Sequence, residues 1–400
     1  MSRITASQDK VTVENWQEPG SLSWSFLHMD ELFPSAGIRA VAAAADNAGS
    51  PELPEDSFGL RGLAVQLPDG SDSTVAEILA TTNTDAWMVL HGTEVLVEEY
   101  FGGMGPGTRH LLMSVSKSIV SSVVGALVAQ GKIDTAQRID HYIPELRCSG
   151  YEGATVRDLL DMRSGIKFSE EYLNPESEVR KLDESVGWAP PAGGADTLKS
   201  FLLTLEQARD HGGYFEYRSC ETDVLGWLCE AMGGKPFAEL ASEVLWSPMG
   251  ARHDAYITLD VAGTGMFDGG ICATLTDMAR FGAMIRDGGV SPAGRRILAP
   301  EWVEDIFNGG PDSTEAFAAG DHAEEMPGGS YRSQFWFLSE NRNVAYCLGI
   351  HGQMVYINRS SGVVGVKFSS TALPVDPFEG PAAAAMFEAI NRRLTLSPAR

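Results

Sequence analysis

Four hundred residues exceed what one hydrophobic core usually organises, so two lobes are expected. The content is 44% hydrophobic and 21% charged, that of an ordinary globular protein, and the net charge of −24 at pH 7 opposes nucleic acid and anionic membrane surfaces while favouring a neutral or cationic small substrate. Five cysteines (Cys148, Cys220, Cys229, Cys272, Cys347) form no Cys-x-x-Cys, and neither a signal-like apolar core at Met1–Ser7 nor an eighteen-residue apolar run is visible, so free thiols and a cytoplasmic location are expected.

In chain order, residues 1 to about 80 read as irregular, with Trp16 and Trp24 as packing anchors. Two runs, Ala86–Leu90 and Glu94–Glu98, flank His91-Gly92 and predict a hairpin. The glycine-rich loop Gly102–Gly107 then leads to Met113-Ser114-Val115-Ser116-Lys117 and an apolar run to Val128, a buried helix. Ser114 and Lys117, three apart, share one helix face. A lysine buried there must be neutralised by partners or have its pKa pushed down, and a neutral amine beside a serine hydroxyl takes its proton. Ser7–Lys10 and Ser164–Lys167 repeat the spacing. The first sits in a polar tail and the second has a glycine inside the turn, so Ser114 is the candidate nucleophile.

From about 130 to 300 the chain reads mostly helical, at Val156–Met162, Ala195–Ala208, Asp223–Met232 and Thr276–Asp287, with Thr274 and Asp277 at capping-box spacing. Residues 309–330 read as a mobile acidic surface loop. Short β-branched or aromatic strands return at Ser333–Leu338, Val344–Ile350, Met354–Asn358 and Val363–Ser369, before a helix over Pro381–Leu394. The order suggests an α+β fold, an antiparallel sheet flanked by helices. Residues 1–130 and 300–400 would make the sheet-containing lobe, 131–299 an inserted helical lobe, with the active site in the cleft between them. Eight scattered histidines without paired spacing, no nucleotide-binding glycine loop and no Gly-x-Ser-x-Gly leave no metal or cofactor expected.

A Ser–Lys site needs a second proton carrier and an oxyanion hole. Tyr-x-Ser or Tyr-x-Asn occurs at Tyr172, Tyr217, Tyr331 and Tyr356, and the pattern alone leaves all four open.

Combined motifs make the chain recognisable. Phe215-Glu216-Tyr217-Arg218-Ser219 with its following helix, Gly131-Lys132-Ile133-Asp134, Tyr142-Ile143-Pro144-Glu145-Leu146, Thr155–Gly165 and Gly269-Gly270-Ile271-Cys272-Ala273-Thr274 stand in the order seen in the penicillin-recognising serine hydrolases. The chain resembles that family, which includes class C β-lactamases, D-alanyl-D-alanine carboxypeptidases and β-lactamase-like esterases, over roughly residues 85–370. The resemblance implies their β-lactamase/DD-peptidase-like fold, Ser114 as acyl-enzyme nucleophile, Lys117 as its base and Tyr217 as proton shuttle. Within the family the likeness is greatest to hydrolases of linear amide oligomers, with short-chain carboxylesterases as the alternative. The family's third motif, Lys-Thr-Gly or His-Thr-Gly, is missing. Cys347-Leu348-Gly349 is preferred at its place over His351-Gly352-Gln353, which makes the Ser114 and Ile350 N–H groups the oxyanion hole. Cys347 offers no cation for a substrate carboxylate, which puts β-lactam hydrolysis in doubt. The resemblance also assigns Asp183 to a substrate ammonium, Tyr172 to the scissile nitrogen, and Trp188 and Trp336 to the pocket wall, with Phe267 and Asp268 as further lining. Glu170, Glu171 and Glu184 read as solvated surface charges. The expected partner is a small amide with a free amino end, with no nucleic acid and no membrane, the chain acting alone or as a homodimer.

Overall fold

The computed structural model describes residues 10–40, 58–191 and 193–396. Its largest element is a seven-stranded antiparallel sheet. From edge to edge it runs Glu94–Tyr100, Thr84–His91, Val363–Ser369, Gln353–Asn358, Val344–Gly349, Phe335–Phe337, Ser330–Arg332. The first hairpin turns at Gly92, whose φ of 59° suits a residue without Cβ. Val363–Ser369 then pairs with Thr84–His91, so the two ends of the chain meet in one sheet. An antiparallel sheet flanked by helices is the α+β architecture that the order of elements suggests.

Period-two alternation decides what covers each face. Ala86, Met88, Cys347, Val355, Val364 and Val366 join the larger core, with the helices Val115–Ala129 and Leu275–Arg286. Trp87, Val89, Tyr346 and Tyr356 face the other way, toward Phe387 on the closing helix Glu379–Leu396. The helix Val115–Ala129 is buried without a break from Val115 to Leu127, as its apolar run predicts. It approaches its neighbours closely at Gly125, where a Cβ would lie 2.6 Å from the Trp302 ring.

Other expectations need correction. A four-stranded sheet, ordered Ser35–Ile38, Ala255–Thr258, Ile271–Ala273, His110–Leu111, lies partly in the stretch read as irregular and partly in the stretch read as helical. Its strands are two to four residues long, too short to show a period, and all but Ser35–Ile38 are fully buried. It also pairs residues 35–38 and 110–111 with 255–273, so the stretch 131–299 holds strands as well as helices. The helix expected over 195–208 contracts to Leu198–Leu202, capped by Thr197. Thr274 accepts from Asp277 N, but the carboxylate of Asp277 accepts the Arg252 and His253 amides instead of closing the box. Residues 309–330 contain the helix Ser313–Ala318, whose Phe317 stacks on Phe215 with ring centroids 4.9 Å apart, so this is no mobile surface loop. Among the described residues no helix is long and apolar enough to cross a membrane.

Candidate active site

Ser114 stands at the turn from the strand His110–Leu111 into the buried helix. Met113 before it has a φ of 47°, a left-handed backbone that a non-glycine residue adopts only under strain, as residues beside reacting centres often do. Lys117, one turn on, is 1% exposed. Its Nζ donates to Ser114 Oγ at 2.9 Å, to Ser219 Oγ at 3.1 Å and to the Asp268 carbonyl at 2.9 Å, with Asp268 Oδ2 at 3.4 Å. The ring centroid of Tyr217 lies 5.3 Å from Nζ.

Ser219 begins the helix Ser219–Gly233 and links Lys117 to a second anion. Its N–H and Oγ donate to Glu170 at 2.9 and 2.5 Å, and Tyr172 OH donates to the same carboxylate at 2.8 Å. One turn into that helix, Asp223 Oδ1 accepts the Phe267 and Asp268 amides, each at 3.1 Å, and so holds the loop that reaches Lys117.

Burial alone would depress the Lys117 pKa, but Tyr217, Asp268, Glu170 and Asp223 around it outweigh burial and raise it. Of the two ways to keep a lysine buried, the structure takes neutralisation by partners. Burial also raises Tyr217, Glu170 and Asp223, with Lys117 pulling each back. Several acids thus compete for one cation.

Ser114 opens into a cavity of about 460 Å³ whose walls include Tyr172, Asp183, Trp188, Asp268 and Ile350. Trp188 is edge-on to Trp16 at 4.9 Å, and Trp16 Nε1 donates to the Trp188 carbonyl at 2.8 Å, so the predicted packing anchor props the pocket wall. Asp183 is not a bare carboxylate. Arg180 Nη1 donates to it at 2.6 Å and to Gln17 Oε1 at 2.8 Å. Burial, partly offset by Arg180, pushes the Asp183 carboxyl up to about 7. Gly349 backs onto the nucleophile: a Cβ there would stand 3.1 Å from Ser114 N and 2.7 Å from the Leu112 carbonyl. Cys347 is buried in the core, where burial pushes its thiol up to about 12.

With this geometry established, comparison with known proteins gives the lineage. The beta-lactamase family matches residues 72–388. The chain belongs to the beta-lactamase family. It is 41% identical over 91% of its length to 6-aminohexanoate-dimer hydrolase of Paenarthrobacter ureafaciens, covering 89% of that protein. A solved Bacillus anthracis structure provisionally named a 6-aminohexanoate-dimer hydrolase superposes with a TM-score of 0.87 at 27% identity, covering 99% of this chain and 100% of that one. A family VIII carboxylesterase shares the fold at a TM-score of 0.61 and 16% identity, over 80% of this chain and 96% of that chain.

Against that beta-lactamase framework, the expected site residues divide. Ser114, Lys117 and Tyr217 come together, and Tyr172, Asp183, Trp188, Asp268 and Ile350 line one cavity. Phe267 does not line it. It is fully buried, 5.2 Å from the Phe237 ring, and sits where a Cβ on Gly226 would lie 2.0 Å from it. Trp336 stands behind Tyr217 at 5.1 Å, within the Phe215–Tyr331 aromatic cluster, instead of on the cavity wall. The rival serine, Ser164, is buried and donates to Glu221. Ser7 lies outside the described residues. Tyr331 and Tyr356 are core residues.

Glu170 is the largest correction, since it bonds Ser219 and Tyr172 and is no solvated surface charge. Ser219 and Asp223 join the site as well, through contacts that no local pattern shows. The Tyr-x-Ser spacing marked Ser219, but Glu170 lies 49 residues before it and nothing local announces that contact.

Proposed function

We propose that the chain hydrolyses the amide bond of the linear dimer of 6-aminohexanoate through an acyl-enzyme on Ser114. The observation that carries this reading is the 2.9 Å contact of Ser114 Oγ with a buried lysine at the cavity that holds Asp183. The substantial identity to a relative bearing that activity in its name supports it.

Proton bookkeeping determines how Ser114 is activated. An ammonium on Lys117 with a neutral Tyr217 leaves no base, so the active form has one proton fewer. That form is either a neutral amine beside a phenol or an ammonium beside a phenolate. These are tautomers of one pair, and the pair titrates as a unit. It takes the Ser114 proton as Oγ attacks the carbonyl, and the N–H groups of Ser114 and Ile350 hold the oxyanion. Tyr217 delivers the proton to the leaving nitrogen, near Tyr172, and the amine departs. Water then attacks the acyl carbon and gives its proton to the same pair, which passes it to Ser114 Oγ as the acyl C–O bond breaks and the acid product leaves. Asp183 receives the ammonium at the substrate's amino end. No cofactor takes part.

Within this proposal the partner is a small amide with a free amino end, and neither nucleic acid nor membrane is bound, in keeping with the net charge of −24. The chain works in the cytoplasm, alone or as a homodimer. Its five free thiols support the location.

One observation favours a second reading, a carboxylesterase for short acyl esters. Arg180 already pairs with Asp183, so an ammonium must share that carboxylate, whereas a neutral acyl chain makes no demand on it. The test compares the free-amine dimer, its N-acetyl derivative and a short-chain nitrophenyl ester, with a fluorophosphonate adduct mapped to its peptide. Turnover of the free-amine dimer well above the N-acetyl form supports the amidase. Ester turnover without either amide supports the esterase. An adduct on a residue other than Ser114 sinks both.

A further inference from the structure

The turn that follows the strand Val344–Gly349 carries Ile350, and its backbone is unusual. His351 has a φ of 61° and Gly352 a φ of 90°, so two successive residues are left-handed. Such a turn persists only where its surroundings hold it. Gln353, 1% exposed, is that hold. The two hydrogens on its Nε2 go to the carbonyls of Ser369 at 2.6 Å and His351 at 3.1 Å, the latter shared with the Ile350 carbonyl at 3.4 Å, while its Oε1 accepts the Ser369 N–H at 3.1 Å. One carboxamide therefore fastens two carbonyls of the turn to the end of the neighbouring strand. The platform below is rigid too. Lys367 is fully buried, bonds Ser369 and pairs with Glu379 at 2.7 Å, and a Cβ on Gly352 would stand 2.3 Å from Glu379 Oε1.

We infer that Gln353 is a positioning residue for the oxyanion hole: by gripping the carbonyls of Ile350 and His351 it aims the Ile350 N–H at the substrate oxygen beside Ser114. The carbonyl and N–H of Ile350 flank one Cα, so fixing the first restricts the second. With the carboxamide gone the strained turn can relax, and the N–H leaves the position where charge develops. The inference rests on the acyl-enzyme reading of Ser114.

The test uses the whole protein with Gln353→Met, which fills the volume and removes all four bonds, and Gln353→Glu, which keeps the shape but loses both N–H donors as a carboxylate. Turnover is measured on a short-chain phenyl ester and on its thionoester. Sulfur accepts hydrogen bonds poorly, so a working hole favours the oxygen ester and a broken one does not. Both variants should lose about 10- to 1000-fold in kcat on the oxygen ester with KM within about two-fold, and the oxygen-to-sulfur rate ratio should collapse by a similar factor. An unchanged ratio in either folded variant overturns the inference. So does loss of the fold in both, because a clamp on one turn leaves the sheet paired. Failure of the underlying reading looks different: the wild type itself would then give no ester turnover and no adduct on Ser114.

Discussion

Lys117 shows how many partners one buried charge recruits. Its ammonium serves Ser114, Ser219 and Asp268 at once and faces Glu170 and Asp223 beyond them. These anions keep the proton on, so activity should rise with pH as the Lys117–Tyr217 pair releases it. Asp268→Asn removes one anion while keeping the backbone carbonyl, and the rising limb of the kcat/KM profile should move to lower pH. A limb that stays in place would detach Asp268 from the base. Tyr217→Phe should cost the amide about 10²- to 10⁴-fold and a nitrophenyl ester much less, because an amine leaves only when protonated whereas nitrophenolate leaves unaided. Equal losses would end the shuttle role. At Asp183 the substrate ammonium meets a carboxylate already engaged by Arg180. A charge-assisted bond in a partly desolvated pocket is worth roughly 1.5–3 kcal/mol, so Asp183→Asn should lower kcat/KM on the free-amine dimer by about 10- to 200-fold. N-acetylation of the dimer removes the same pair, so the two losses should not add. Full additivity would place the ammonium elsewhere.

A helix and a loop meet through glycine to build the site. Gly226 lies one turn past Asp223 on the helix Ser219–Gly233, with the Phe267 ring pressed against it, and the next residue after Phe267 is the Asp268 that reaches Lys117. A methyl at 226 would meet Phe267 at 2.0 Å, which no rotamer change of a fully buried ring absorbs freely. Gly226→Ala should therefore destabilise by roughly 1–3 kcal/mol. It should also lower turnover by shifting the 266–269 loop, read as a fall in melting temperature together with kcat. A drop in melting temperature at full kcat would show that the loop keeps its place without this contact. This packing explains why Phe267 reads as a pocket residue in sequence yet functions from within the core.

For the molecule as a whole, buried carboxyls couple the site to pH-dependent stability. Burial pushes Asp183 and Glu221 up to about 7, in each case against the pull of an arginine, Arg180 and Arg218. An unfolded chain releases these protons near pH 4. Between about 4 and 7 the folded state thus binds more protons than the unfolded one. The contribution of these groups is most favourable below 4 and falls as pH rises to about 7. Glu221→Gln removes one such group and leaves Arg218 its bond to Glu216. The melting temperature of the variant relative to wild type should climb between pH 5 and pH 8, and a difference that stays flat would show that Glu221 is ionised throughout.

Local pattern determined much of this protein. Spacing placed Ser114 and Lys117 on one face, an unbroken apolar run buried their helix, and short β-branched or aromatic runs bounded by turns marked the hairpin at His91-Gly92 and the strands from 344 to 369. Those signals repeat within a few residues, at the pitch of a helix or the pleat of a strand. Tertiary structure decided what distance in sequence conceals. The strand Ser35–Ile38 finds its partner only at Ala255–Thr258, Glu170 becomes a site carboxylate through Ser219, and Gln353 grips Ser369 across a sheet. Asp183 illustrates the limit: the family resemblance assigns it to a substrate ammonium, but the fold has already supplied Arg180, and burial in the same cavity sets its affinity for a proton. Which partner a charge meets, and how much water it loses, are properties of the packed chain, and no spacing rule carries them.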